Sequence, residues 1–171
     1  TGLANEEVVN GRHERCGTLV EKKFLNQWML AITKYADKLI EGLKTVDYPD
    51  RIASQQINWI GRSEGAEIDF KIGDDTVTVY TTRPDTLAGA TFMVLAPEHP
   101  LVQKITTDEH RGHVNTYVQA AGQKSEIARA DDTKEKTGAF TGAHATNPLT
   151  GEQVPVWIAD YVMMGYGTGA I

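Results

Sequence analysis

Hydrophobic positions change period about a third of the way along the chain. From Phe24, the apolar residues Leu25, Trp28, Met29, Ile32, Tyr35, Ala36, Leu39, Ile40 and Leu43 fall three or four apart. This is the period of a helix with one buried face, and Gly42 and Pro49 suit its end. RIASQQINWI (51–60) predicts a short second helix, and Gly61 and Gly65 then allow a sharp change of direction. Beyond them Ala66, Ile68, Phe70 and Ile72 alternate with Glu67, Asp69 and Lys71, as in a half-buried strand. Gly73-Asp74-Asp75 turns the chain, and the β-branched run TVTVYTT (76–82) returns as a second strand. TFMVLA (91–96) reads as an interior strand, followed by a Pro97–Pro100 turn and a short helix from Leu101. A helix is expected within 108–128, then a mobile ARADDTKEKTG stretch. Strands at 140–145 and 154–161 flank an Asn-Pro-Leu-Thr-Gly loop. At the start, Val8-Val9, the turn-forming Asn10-Gly11 and Thr18–Val20 predict a small β-ribbon. Helices followed by strands argue for an α+β fold with a mixed sheet or partial barrel.

Composition narrows the classes. The 171 residues are 40% hydrophobic and 23% charged, average for a globular chain and unlike a disordered or collagen-like one. A single cysteine, Cys16, forms no internal bridge, so nothing requires an oxidising compartment, and no apolar run is long enough to span a bilayer. A cytoplasmic protein without membrane contact is expected. The net charge of −6 is uneven: residues 11–62 hold nine basic and six acidic side chains, whereas 63–171 hold eight and fifteen. The second part therefore lacks the basic excess of a general phosphate-binding surface, and any nucleic acid must be held locally or delivered by another domain.

Thr81-Thr82-Arg83-Pro84-Asp85-Thr86 is the densest chemical cluster. It directly follows a predicted strand, and Pro84 disfavours helix at Arg83, so the chain leaves the sheet as a shaped loop. Its hydroxyls and amides suit a carbonyl or phosphate, and the Arg83 fork suits an oxyanion; a plain strand-ending turn gives the same residues. GYGTGAI (165–171) lacks the Gly-Lys-Ser/Thr of a P-loop and reads as a tight turn after a strand end. His13 and Cys16 form H-x-x-C, half a zinc ligand set, whereas a closed structural site needs four ligands. No metal is expected, and no G-x-S-x-G elbow is present.

NWIGRSEGAEIDF (58–70), TTRPDTLAGATFMVLAPEHPLV (81–102) and MMGYGTGAI (163–171) resemble a bacterial-type leucyl-tRNA synthetase in order and spacing. LANEEVVNGRHERCGTLVEKK (3–23) and QWMLAITKYADKLIEGL (27–43) also look like that family, with TTRPDT the most specific element. The resemblance implies a fragment of a longer polypeptide. Residues 1–62 would be a connecting segment of β-ribbon plus helices. Residues 63–171 would be a mixed, barrel-like editing domain, truncated at its C-terminal end. The family pattern continues past Ile171 to an aspartate that anchors the substrate's amino group. Two departures stand out: Ala88 replaces a larger residue, and His13 replaces a cysteine of a C-x-x-C pair.

The implied activity is hydrolysis of the ester in leucine tRNA charged with a wrong amino acid. A hydrophobic pocket discriminates one methylene by only about 1–3 kcal/mol, so charging needs a second sieve. By resemblance, Thr86 blocks leucine's branched end, Thr81 and Thr82 position ester and water, Arg83 helps hold the terminal adenosine, Asp85 joins these three as a catalytic residue, and Met164 and Tyr166 line the pocket. Partners would be leucine tRNA and the remainder of a monomeric synthetase. Its ATP- and Mg-dependent charging motifs, of the HIGH and KMSKS type, are absent from this sequence. The fragment itself needs no cofactor. Two other readings stand beside it: a binding module for the tRNA acceptor end without turnover, and an editing domain of the valyl or isoleucyl type.

Overall fold

The computed structural model describes residues 2–21, 26–131, 133, 135–165 and 167–171. Contacts divide the chain into two compact units, one of residues 1–22 with 65–171 and one of residues 23–64.

In the larger unit, strands β1 (Val8–Val9) and β2 (Arg12–His13) form the ribbon through antiparallel pairing of Val8 with His13. Asn10 (φ 51°) and Gly11 (φ 73°) both adopt left-handed backbone at the turn, as a two-residue hairpin of this hand requires.

The smaller unit departs from the expected long helix. A 3₁₀ turn covers Ile32–Tyr35, α1 covers Ala36–Gly42, a second 3₁₀ turn covers Leu43–Thr45, and residues 26–31 carry no helix. Phe24 and Leu25 lie outside the described residues. Trp28, Met29, Leu30, Ile32, Tyr35 and Leu39 are all exposed. A helix this short needs a packed face or a cap, and Ala31 at its start provides no side-chain cap. The second helix, α2 (Asp50–Ile60), forms where expected and ends on Gly61, whose left-handed φ of 62° closes its last turn.

The rest of the larger unit is a five-stranded mixed sheet. Its strands are β3 (Ala66–Ile72), β4 (Asp75–Thr81), β5 (Met93–Leu95), β6 (Ala139–Thr146) and β7 (Gln153–Ile158), in the order β4-β3-β6-β7-β5. All pairs are antiparallel except β5 with β7. The alternation read in the sequence sets the register: Phe70 pairs with Val77, Ile68 with Val79 and Ala66 with Thr81. Phe70, Ile72, Val77 and Val79 are buried, while Asp69 and Thr78 bond to each other on the opposite face. The helices α3 (Val102–Ile105), α4 (Asp108–Gly122) and α5 (Glu126–Arg129) lie between β5 and β6 in the chain. Buried Val102 and Val114, with Tyr117 and Val118, pack on the core formed by Met93, Leu95, Val156 and Ile158.

Two connections close this unit. The final residues add to the edge of β5: the Val94 and Ile171 backbones exchange hydrogen bonds, and Ala96 N–H donates to the Gly169 carbonyl. Arg129 was expected in a mobile stretch, but its side chain is buried. It donates to both Glu98 oxygens and to the carbonyls of Asp160 and Val162. These four acceptors hold α5 down against the loops after β5 and β7.

Candidate functional site

Period-two alternation continues to the last residue of β4 and puts Thr81 on the same face as buried Val77 and Val79. Thr82 follows on the exposed side. At Arg83 (φ −127°, ψ 63°) the chain leaves the sheet and enters a 3₁₀ turn, Pro84–Gly89. Pro84 suits this entry because its φ is fixed and the first helical position needs no amide donor.

Local bonds make the turn a closed unit. The Arg83 N–H donates to Thr81 Oγ1 at 3.0 Å. The Thr86 N–H and hydroxyl both donate to the Arg83 carbonyl, at 3.1 and 2.8 Å. The Arg83 guanidinium grips Asp85 with two parallel bonds, Nε to Oδ1 at 2.9 Å and Nη2 to Oδ2 at 2.8 Å. Both side chains are exposed. This pairing holds the Asp85 carboxyl below its usual range and raises the Arg83 guanidinium.

The turn and the sheet together line a half-open cavity of about 310 Å³. Its walls combine Ile68, Phe70 and Val79 from β3 and β4 with Leu87, Phe92 and Met93, and with Ile171 from the final edge segment. Thr81, Arg83 and Thr86 supply the polar side chains. β4 and β5 are opposite ends of the strand order, yet both reach this space, so the sheet curls around it as a half-barrel. The volume is at the small end of the range for ligand pockets, and the apolar lining with a few convergent polar groups is their usual make-up.

The sequence-predicted residues divide around this cavity. Thr81, Arg83 and Thr86 line it, while Thr82 and Asp85 flank it from the exposed side of the loop. Met164 is not among the lining residues; its sulfur packs over Gly169, where a Cβ would collide with it. Tyr166 lies outside the described residues.

Asn147, at the start of the β6–β7 loop, was not singled out by the sequence. Its side chain is fully buried, and Nδ2 donates to the Leu87 carbonyl at 2.8 Å. Asn-Pro-Leu-Thr-Gly marks a loop in the sequence, but nothing local signals a bond across 60 residues.

Other clusters have a different character. A recess of about 460 Å³, lined by Ile72, Gly73, Asp74, Asp75, Lys104, Ile105, Ala143 and His144, is larger but contains none of the Thr81–Thr86 residues. Its Lys104 and Asp75 already pair with each other. On the ribbon, His13 Nδ1 lies 3.0 Å from Cys16 Sγ, and Thr18 Oγ1 lies 3.1 Å from that sulfur. These bonds lower the exposed thiol to about 7. Among the described residues no group of three or more His, Cys, Asp or Glu side chains gathers as a metal site.

Comparison with known proteins places this fold in a class, the hydrolase-like editing modules of the aminoacyl-tRNA synthetases that serve protein biosynthesis. Residues 57–171 match the family described as leucyl-tRNA synthetase, editing domain, and the chain belongs to that family. Among solved structures it is similar to the LeuRS AgnB2 of Agrobacterium radiobacter K84, determined as a ternary complex with tRNA and LeuAMS. The identity is 42% and the TM-score 0.74. The match covers 99% of this chain but 21% of that one, so the chain spans about a fifth of that relative's length.

Proposed function

We propose that the cavity receives the aminoacyl end of leucine tRNA carrying a wrong amino acid and hydrolyses its ester. The observation carrying this reading is the convergence of Thr81, Arg83 and Thr86 on one small apolar cavity. Thr86 is the steric limit. Its hydroxyl and amide are both held by the Arg83 carbonyl, so the side chain has little freedom to yield to leucine's branched end. Thr81, with Thr82 beside it, holds the ester and orients the attacking water. Polar groups fixed before the reaction stabilise the developing oxyanion, and no covalent enzyme intermediate is involved. Asp85 orients the Arg83 fork, whose remaining donors serve the terminal adenosine. Met164 and Tyr166 are assigned to substrate binding by the family resemblance alone, since Met164 does not line the cavity.

The wider reading follows from the relative that this segment resembles. The parent would join leucine to its tRNA with ATP and Mg in a separate domain, act as a cytoplasmic monomer, and present the acceptor end to this site. The acidic balance of residues 63–171 suits delivery by the rest of the enzyme better than capture by this domain alone. The test is deacylation of norvaline-charged leucine tRNA by this chain and by a version extended through the family's aspartate. Turnover in the extended version supports the assignment. Binding of charged tRNA without turnover in either would replace it with an acceptor-end binding module.

A further inference from the structure

Leu87 follows Thr86 in the Pro84–Gly89 turn, and its carbonyl accepts from the Ala90 N–H at 3.2 Å and, more closely, from a residue of the far hairpin. We infer that Asn147 is a positioning residue for the Thr86 wall, and this rests on reading the cavity as the editing site. Asn147 Oδ1 accepts from the Leu149 N–H at 2.9 Å and the Thr150 N–H at 3.4 Å. Its backbone N–H donates to the Glu152 carbonyl, and its own carbonyl accepts from the Gly151 N–H, both at 2.9 Å. The hairpin therefore fixes both the place and the orientation of the amide. With Oδ1 directed at two donors, the NH₂ group must face the Leu87 carbonyl, which it meets at 2.8 Å.

The turn hangs between two supports. At its start Arg83 is bonded to Thr81 on β4, and past Thr86 the Leu87 carbonyl is bonded to Asn147. Thr86 lies between them, tied rigidly to Arg83. A wall that excludes leucine and admits a slightly smaller chain works over a distance of about one methyl group. Losing the Leu87 support lets the wall recede while the strand support keeps Thr81 in place. The structure thus divides labour: β4 sets the hydrolytic groups, and Asn147 sets the size limit.

Asn147→Asp separates these roles. It preserves the acceptors for Leu149 and Thr150 but turns the donor facing Leu87 into an oxygen. Asn147→Ser is the companion variant, since its hydroxyl still serves the loop amides but is too short to reach Leu87. In the full-length synthetase carrying this segment, both variants are expected to raise Leu-tRNA deacylation relative to norvaline-tRNA about tenfold, with norvaline clearing changed by about threefold or less. On a Thr86→Ala background the same substitutions should add almost nothing, because both act through one wall. Equal losses for the two substrates, or full additivity with Thr86→Ala, would overturn the proposal and leave Asn147 a loop-stabilising residue. Should Thr86→Ala itself fail to release Leu-tRNA hydrolysis, the reading of the cavity fails instead, an outcome distinct from either.

Discussion

Thr86 lines the cavity with its amide and hydroxyl bonded to the same carbonyl, which holds its side chain in a fixed pose. Thr86→Ala is expected to expose cognate Leu-tRNA to hydrolysis, with about a tenfold or larger gain in its deacylation rate. An unchanged rate, measured in the full-length enzyme, would move the specificity wall elsewhere. Asp85 gives a pH prediction. Its folded value lies below the ordinary 3.8, so its pairing with Arg83 is complete above that value and is lost as the pH falls through the lower folded value. Adenosine binding that relies on Arg83 should therefore be insensitive to this group from neutral pH to about 5. Asp85→Asn should weaken that binding throughout this pH range, read as a raised KM with kcat nearly unchanged. Thr168 gives a stability test. Its buried Oγ1 has no partner among the described residues, and such a group costs about 1–3 kcal/mol. Thr168→Val is expected to be neutral or stabilising in urea denaturation; a clear loss would reveal a bond to that hydroxyl.

Among the elements, α5 is too short to be stable alone and depends on Arg129. The guanidinium serves a carboxylate and two carbonyls at once, so Arg129→Met leaves Asp160 and Val162 with carbonyls that lose a charged donor. The expected cost is about 2–4 kcal/mol, set mainly by those stranded acceptors since Glu98 is part-exposed. A urea midpoint unchanged in Arg129→Met would show the network to be incidental. The sequence read ARADDTKEKTG as mobile, and composition cannot show that one arginine has four acceptors waiting in distant loops. The first helix fails for the opposite reason. Its three-and-four spacing is real, but among the described residues of 26–64 no side chain is buried, so periodicity alone does not support the expected turns.

At the scale of the whole molecule, burial among the described residues is confined to the larger unit, and amide protection should follow it. Hydrogen exchange of this chain is expected to show protection in β3, β4, β6 and β7 about a hundredfold or more above that in α1 and α2. Comparable protection in both would mean that the smaller unit gains burial the structure does not show. The strands, their inward faces, the Asn10-Gly11 turn and the Thr81–Thr86 loop were legible in the sequence. Each depends on contacts between near neighbours: alternation along a strand, a φ restriction at Pro84, a turn that needs left-handed backbone. Only the tertiary structure brought Ile171 and Met93 from the opposite end of the sheet to face β4, buried Arg129, and set Asn147 beneath Leu87. Those outcomes arise from the curl of the sheet and the filling of one interior, where a side chain's partner is decided by packing between segments many residues apart.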